Sequence, residues 1–302
     1  MAKFRSPKPP ERQAREVTGA LVNLGALRRN PARPASLRTV ENYRDCLLQV
    51  ARRIAADGRE LRDLTPETAE AHLRSRTGEL GQKALDMHRQ ALQAMLVHVS
   101  RRLPQGKRLE VIRSERPGRY RSRAYTPAQV RRVAAAQTPR NALATLVAHA
   151  AGLRAHELLT LARPAEQPAD PRPTRESKFA GRPGADYTVV GKGGLVRIVR
   201  LPEHLALRLE ERRREKPATV MDRGIRYLSR YDVGGGRAWG ASFSAASMRY
   251  LGWSRGAHGL RHSYAQERTA ETGRLLPRDA ARETVSQELG HFRASVTDAY
   301  LK

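Results

Sequence analysis

The sequence predicts a mainly α-helical chain with a small β-hairpin or sheet, an α+β protein in two domains. Three observations predict it. Apolar residues recur at three- and four-residue steps through most of the chain, which is helical spacing. One pair of β-rich runs flanks a glycine-rich tip. A basic, Pro- and Gly-punctuated stretch separates two helical regions, and 302 residues suffice for two domains.

Charge sets the class of partner. The chain has 57 Lys+Arg against 30 Asp+Glu, a net charge of +27. Such an excess favours a polyanion, because each phosphate neutralised releases counterions. Arginine dominates, and its planar fork matches phosphate. The single Cys46 excludes an intramolecular disulfide and fits a reducing cytosol. The N-terminus lacks an apolar signal core, and the longest mainly apolar run, 142–153, is too short to span a bilayer. The expectation is a soluble, cytoplasmic, nucleoid-associated protein.

Taken in order, residues 1–35 are rich in Pro, Arg and Lys and predict a mobile basic arm with a short helix over 17–27. Residues 36–100 predict a compact helical domain. Val40, Tyr43, Leu47, Val50 and Ile54 form one helix face that stops at Gly58. Thr65-Pro66 opens a second helix, with threonine as N-cap and proline at the first position. A third, over 82–99, turns Leu85, Leu92, Met95 and Leu96 inward. Residues 101–123 carry nine basic side chains against two acidic and predict an interdomain linker along a duplex. Its candidate DNA contacts are Arg101, Arg102, Lys107, Arg108, Arg119, Arg121 and Arg123.

The second domain, 124–302, begins at a capping box, Thr126-Pro-x-Gln129. A helix follows with Leu143, Leu146, Val147 and Ala150 on one face, broken at Gly152. Arg154 is then expected at a new helix N-terminus, where backbone N–H groups favour an anion. Glu157, three residues on, shares its face and can orient a donor; a local ion pair is the plainer reading. His156 reads as a helix-surface residue. Residues 162–185 are irregular, either a surface loop or a DNA-contacting loop. Residues 187–190 and 195–201 flank Gly-Lys192-Gly-Gly and predict a β-hairpin with Lys192 at its tip. No GxxxxGK[ST] phosphate loop is present. A charged helix over 203–216 and a loop at 234–236 follow, with Trp239 and Trp253 as packing anchors.

The C-terminal stretch carries the chemistry. His258-x-x-Arg261, Leu-Gly-His291 and Tyr300 stand at spacings that suit attack on a phosphodiester. Arginine binds the non-bridging oxygens, histidine donates or handles a proton, and a phenol can form a covalent intermediate. A helix starting at Gly259 puts His258 and Arg261 at one end, while helical phase turns His262 elsewhere into a structural role. Ser295 or Thr297 starts a last short helix that carries Tyr300.

Gly-Leu-Arg154-x-x-Glu157-Leu, the Lys192 hairpin, His258-x-x-Arg261, Leu-Gly-His291 and Tyr300 together resemble the tyrosine recombinases, or phage-integrase family. The resemblance covers roughly residues 36–302 and is strongest from 140 onward. It implies a helical core-binding (SAM-like) domain before a catalytic recombinase domain, the two clamping opposite DNA faces. It implies a site-specific recombinase or integrase of a mobile element, working on double-stranded DNA without metal or other cofactor. Tyr300 would form a 3′-phosphotyrosine, with Arg154, Arg261 and His258 stabilising the transition state and His291 helping. Lys192 would protonate the 5′-oxygen; the family's second lysine is missing, with Leu195 near its place, which leaves a purely electrostatic role open. Four protomers on two sites are implied, with room for a DNA-bending accessory protein. The sequence ends two residues after Tyr300, so the following helix that many relatives dock onto a neighbour is either absent or cut off here. Type IB topoisomerase chemistry, a hairpin-forming telomere resolvase and a catalytically silent DNA-binding relative stand as alternatives.

Overall fold

A computed structural model describes residues 8–22, 37–118, 122–291 and 293–301 of the chain. Parts of the expected arm (1–7 and 23–35), with Arg119 and Arg121, lie outside the described residues. The backbone divides into two compact units, Met1–Arg119 and Tyr120–Lys302.

The first unit is a helical bundle: α1 (Pro10–Leu21), α2 (Leu37–Ala55), α3 (Pro66–Arg74) and α4 (Gln82–His98). The helix in the arm starts at Pro10 rather than at residue 17. Proline supplies the first helical position, and Ala14 and Leu21 are buried in the bundle. From α2, Leu47, Val50, Ala51 and Ile54 enter the core, meeting Leu85, Leu92, Met95 and Leu96 of α4. The Thr65 side chain accepts the Thr68 N–H while the Thr68 hydroxyl accepts the Thr65 N–H, closing a reciprocal cap on α3. The basic run after α4 lies on this bundle. Leu103, Leu109 and Ile112 are buried in it, and the Ser114 hydroxyl donates to the Leu80 carbonyl.

The second unit opens with α5 (Pro127–Ala135), capped by Thr126 as its box predicts, and α6 (Pro139–Ala151). Gly152 ends α6 at φ 60, and a Cβ there would strike the Tyr264 and Leu289 side chains. β1 (Ala185–Val190) and β2 (Val196–Leu201) pair antiparallel from Ala185↔Leu201 to Val190↔Val196, the expected hairpin. Next come α7 (Glu203–Glu210), β3 (Arg213–Asp222) and β4 (Ile225–Tyr231), the last two a second antiparallel hairpin.

That hairpin replaces the end of the predicted 203–216 helix. Arg and Lys favour helix locally, but tertiary partners override them. The Arg213 guanidinium lies 5.4 Å from the Tyr231 ring, and Arg212 and Arg214 both reach Asp232. Arg223 (φ 51) and Gly224 (φ 74) make the two-residue turn that matches strand twist.

α8 (Gly236–Leu251), α9 (Gly259–Thr272), α10 (Arg278–Glu288) and α11 (Ala294–Thr297) complete the chain, α11 running into a 3-10 turn at Asp298–Tyr300. Val147, Val189, Val199, Trp239, Phe243 and Leu260 share one core. Both tryptophans pack: Trp239 is buried with its indole N–H on Thr145, and Trp253 stacks on Tyr125 at 5.1 Å. Among the described residues no helix is long and apolar enough to cross a membrane.

Candidate active site

The site begins where α6 stops. The left-handed Gly152 turns the chain so that Leu153 goes into the core and Arg154 comes out half-buried. Arg154 stands ahead of a single 3-10 turn, Glu157–Thr160, instead of the expected full helix. Its position is held from both ends by one side chain. Glu157 accepts the Arg154 backbone N–H at 2.8 Å and its Nη1 at 2.7 Å.

Glu157 does more than that pairing. It is fully buried, accepts Arg197 Nη2 at 2.9 Å and lies 3.9 Å from Arg261 Nη1. Burial raises its pKa, but Arg197, Arg261 and Arg154 outweigh that and hold the carboxyl ionised, below the usual range. Conversely, three guanidiniums in a desolvated space would repel one another without it.

Arg261, on the first turn of α9, is wholly buried. Nη1 donates to the Gly152 carbonyl at 2.6 Å and Nη2 to the Leu289 carbonyl. Burial lowers its pKa to about 10, so it stays cationic at neutral pH. The same Nη2 lies 3.2 Å from His291 Nε2, and Arg154 Nη2 lies 3.0 Å from that nitrogen. Guanidiniums only donate, so Nε2 accepts and the proton sits on Nδ1, which is buried with no partner among the described residues. Burial, then Arg261, Arg154 and Arg197, push the His291 pKa down to about 3.

Tyr300 is half-buried among three imidazoles. Ring centroids lie 4.7 Å away for His262, 5.6 Å for His291 and 5.7 Å for His258, and the Arg261 guanidinium is 5.6 Å from the phenol ring. The Tyr300 carbonyl accepts Gln266 Nε2 at 3.0 Å. Arg282 of α10 grips Asp298, two residues earlier, through both carboxylate oxygens at 2.6 and 2.7 Å. His258 occupies the N-cap position of α9, as its spacing predicts. Desolvation, then Arg261, hold its pKa at about 4 although the residue is exposed.

His262 departs from expectation. It is buried, not turned elsewhere, and its ring is the nearest of the three to Tyr300. The Tyr300 segment folds back across two turns of α9, a path that helical phase alone does not give. Desolvation also brings the His262 pKa to about 4.

Lys192 stands exposed at the hairpin tip beside Gly193 (φ 88) and Gly194 (φ 91). Among the described residues no hydrogen bond or ion pair joins it to Arg154, His258, Arg261, His291 or Tyr300. Its hairpin is nonetheless tied to the site through Arg197 of β2. Arg197 Nη1 donates to the Glu288 carbonyl at 2.6 Å, and a Cβ on Gly290 would come within 2.6 Å of Arg197 Cδ. Arg197 thereby links Glu157 to the turn that presents His291. It was missed, though a charged residue at an inward position of an alternating strand was a signal.

Glu288 was missed as well. It is buried under a fork from Arg268 and accepts the Tyr264 hydroxyl at 2.8 Å and the Phe179 N–H at 2.8 Å. Phe179 belongs to the irregular 162–185 segment, whose residues 175–180 therefore brace α10. Of the candidate DNA contacts, Arg101, Arg102, Lys107 and Arg108 are exposed on the first unit, and Arg123 lies on the second.

No family model matches the chain, and no curated protein matches its sequence. Solved structures match its fold, which is that of the tyrosine recombinases. XerH site-specific recombinase bound to difH, a pre-cleavage complex, is 16% identical with TM-score 0.56, covering 97% of this chain and 93% of that one. A lambda integrase dimer bound to a COC′ core site is 15% identical with TM-score 0.56, covering 89% of this chain and 90% of that one. The Tn1549 transposon integrase with transposon right-end DNA is 12% identical with TM-score 0.55, covering 98% and 95%.

Proposed function

We propose that the protein is a site-specific DNA recombinase that cuts and rejoins strands through a phosphotyrosine. One observation carries the reading: the Tyr300 phenol is packed against Arg261 and three neutral imidazoles, in a unit whose buried carboxylate orders Arg154 and Arg261.

Tyr300 Oη attacks the scissile phosphorus in line. The Oη–P bond forms and the P–O5′ bond breaks, giving a 3′-phosphotyrosine and a 5′-hydroxyl. Arg154 and Arg261 exchange their contact with His291 for the non-bridging oxygens, where preorganised donors stabilise developing charge most. His291 offers Nδ1–H as a further donor. In the free site its Nε2 lone pair accepts from two guanidiniums, which keeps the ring proton on Nδ1. The phenol proton passes to His258 or His262, rings that are neutral at physiological pH. Lys192 protonates the departing 5′-oxygen once DNA draws the exposed hairpin in. A 5′-hydroxyl of a second strand then reverses the steps and exchanges strands.

The lambda integrase tetramer bound to a Holliday junction and the transposon integrase with circular intermediate DNA support four protomers on two duplexes of a mobile element. The test is a nicked substrate carrying the element's flanking DNA, in EDTA. An SDS-resistant adduct that Tyr300→Phe loses is expected. Site-specific binding without any adduct overturns the reading and favours a silent DNA-binding relative.

A further inference from the structure

We propose that the concavity lined by Ser122, Arg123, Ser254, Arg255 and Gly256 is a second phosphate subsite, seating a DNA phosphate that flanks the one under attack. The inference rests on the DNA-cleaving reading above and adds a site to it.

The concavity has a volume of about 410 Å³ and opens to solvent beside the start of α9. Among the described residues two guanidiniums and two hydroxyls line it, and no carboxylate does. Several arginines of this unit are neutralised: Arg163 by Glu210, Arg182 by Glu271, Arg200 by Asp186, Arg282 by Asp298. Arg123 and Arg255 are tethered differently. Arg123 Nη2 donates to the Arg255 carbonyl at 2.8 Å and Arg255 Nη1 to the Ala124 carbonyl at 3.2 Å. The Arg255 guanidinium also lies 4.7 Å from the Trp253 ring. A carbonyl or an aromatic face aims a guanidinium without cancelling its charge. Two fixed, uncompensated forks facing one hollow make an anion site.

The hydroxyls complete it. Ser254 Oγ accepts the Gly256 N–H at 3.1 Å, and Ser122 Oγ accepts Gln266 Nε2 at 3.1 Å. Both therefore keep their O–H proton for an acceptor oxygen. The occupant is a backbone phosphate of the cut DNA because of what Gln266 joins. The same Nε2 donates to the Tyr300 carbonyl at 3.0 Å, so one side chain spans the subsite wall and the nucleophile's main chain. Arg123's charge also reaches His258 and His262. Filling the subsite would thus fix the Ser122–Gln266 bridge and steady Tyr300 for attack.

The experiment measures salt-dependent binding of a plain duplex by the full chain, by Arg123→Gln and Arg255→Gln, and by their double variant. Each lost phosphate contact lowers the slope of log K against log salt by about 0.9. Scanning single methylphosphonate linkages beside the cleavage point should find one position that weakens wild-type binding but costs the double variant nothing. Gln266→Leu should bind DNA normally and form adduct about tenfold more slowly or worse. A double variant with the wild-type slope overturns the subsite, and an unchanged adduct rate in Gln266→Leu overturns the bridge. A wild-type chain that does not bind duplex at all removes the DNA reading itself.

Discussion

Each unit gathers histidines of depressed pKa, and the two groups differ in company rather than in acidity. In the first unit His72 and His88 stack at 6.3 Å, and desolvation holds both pKa values at about 4. In the second, His258 and His262 reach about the same value by the same main cause. Only the second group encloses a phenol and adjoins a fully buried guanidinium. A depressed imidazole therefore does not by itself mark a reactive one, and what the ring faces distinguishes the two groups.

Substitutions can break or sharpen that contrast. Tyr300→Phe keeps every imidazole and removes the proposed nucleophile, so adduct formation should vanish while DNA binding persists. An adduct in that variant, read on a denaturing gel, breaks the contrast outright. Arg261→Gln and Arg154→Gln should each slow adduct formation by about 10²–10³-fold, the usual loss for one oxyanion donor. Glu157→Ala leaves the buried Arg197 and Arg261 without their carboxylate. Its cost of about 3–5 kcal/mol should appear in denaturant unfolding of the second unit. The pair His72→Leu and His88→Leu should leave adduct formation unchanged, and a slowed rate there would mean the first group is not mere packing.

Acid sharpens the comparison most gently. The folded pKa values of these rings lie below the ordinary 6.5, so the unfolded chain takes up protons that the native chain refuses. Their contribution is whole above pH 6.5 and is lost as pH falls from there through about 4. Replacing His72 and His88 by Leu should flatten the pH dependence of unfolding across that window and leave the adduct pH profile where it was. Glu157, shifted the other way relative to its charge, loses its contribution only below the ordinary carboxylate range.

Much of this site was legible because its signals are short in sequence. Gly152 stops a helix, and His258 and Arg261 share one turn of α9. Thr126 and Gln129 close a cap three residues apart. What escaped depends on distant partners. Arg197 meets Glu157 across 40 residues and the Glu288 carbonyl across 91. His262 faces Tyr300 only because the last segment folds back on α9. The β3–β4 hairpin hid in a run of Arg and Lys whose partners, Tyr231 and Asp232, lie beyond the turn. The irregular 162–185 segment gave no periodicity to read, yet its Phe179 main chain meets a buried carboxylate.

The clasp between Arg282 and Asp298 has a further bearing. Both side chains reach solvent, at 27% and 41% exposure, so dissolved ions compete for this fastening. The same ions compete for the phosphates of the duplex. On the proposed reading, ionic strength acts on DNA grip and on the Tyr300 segment together, and a brine that loosens the one also unlatches the other.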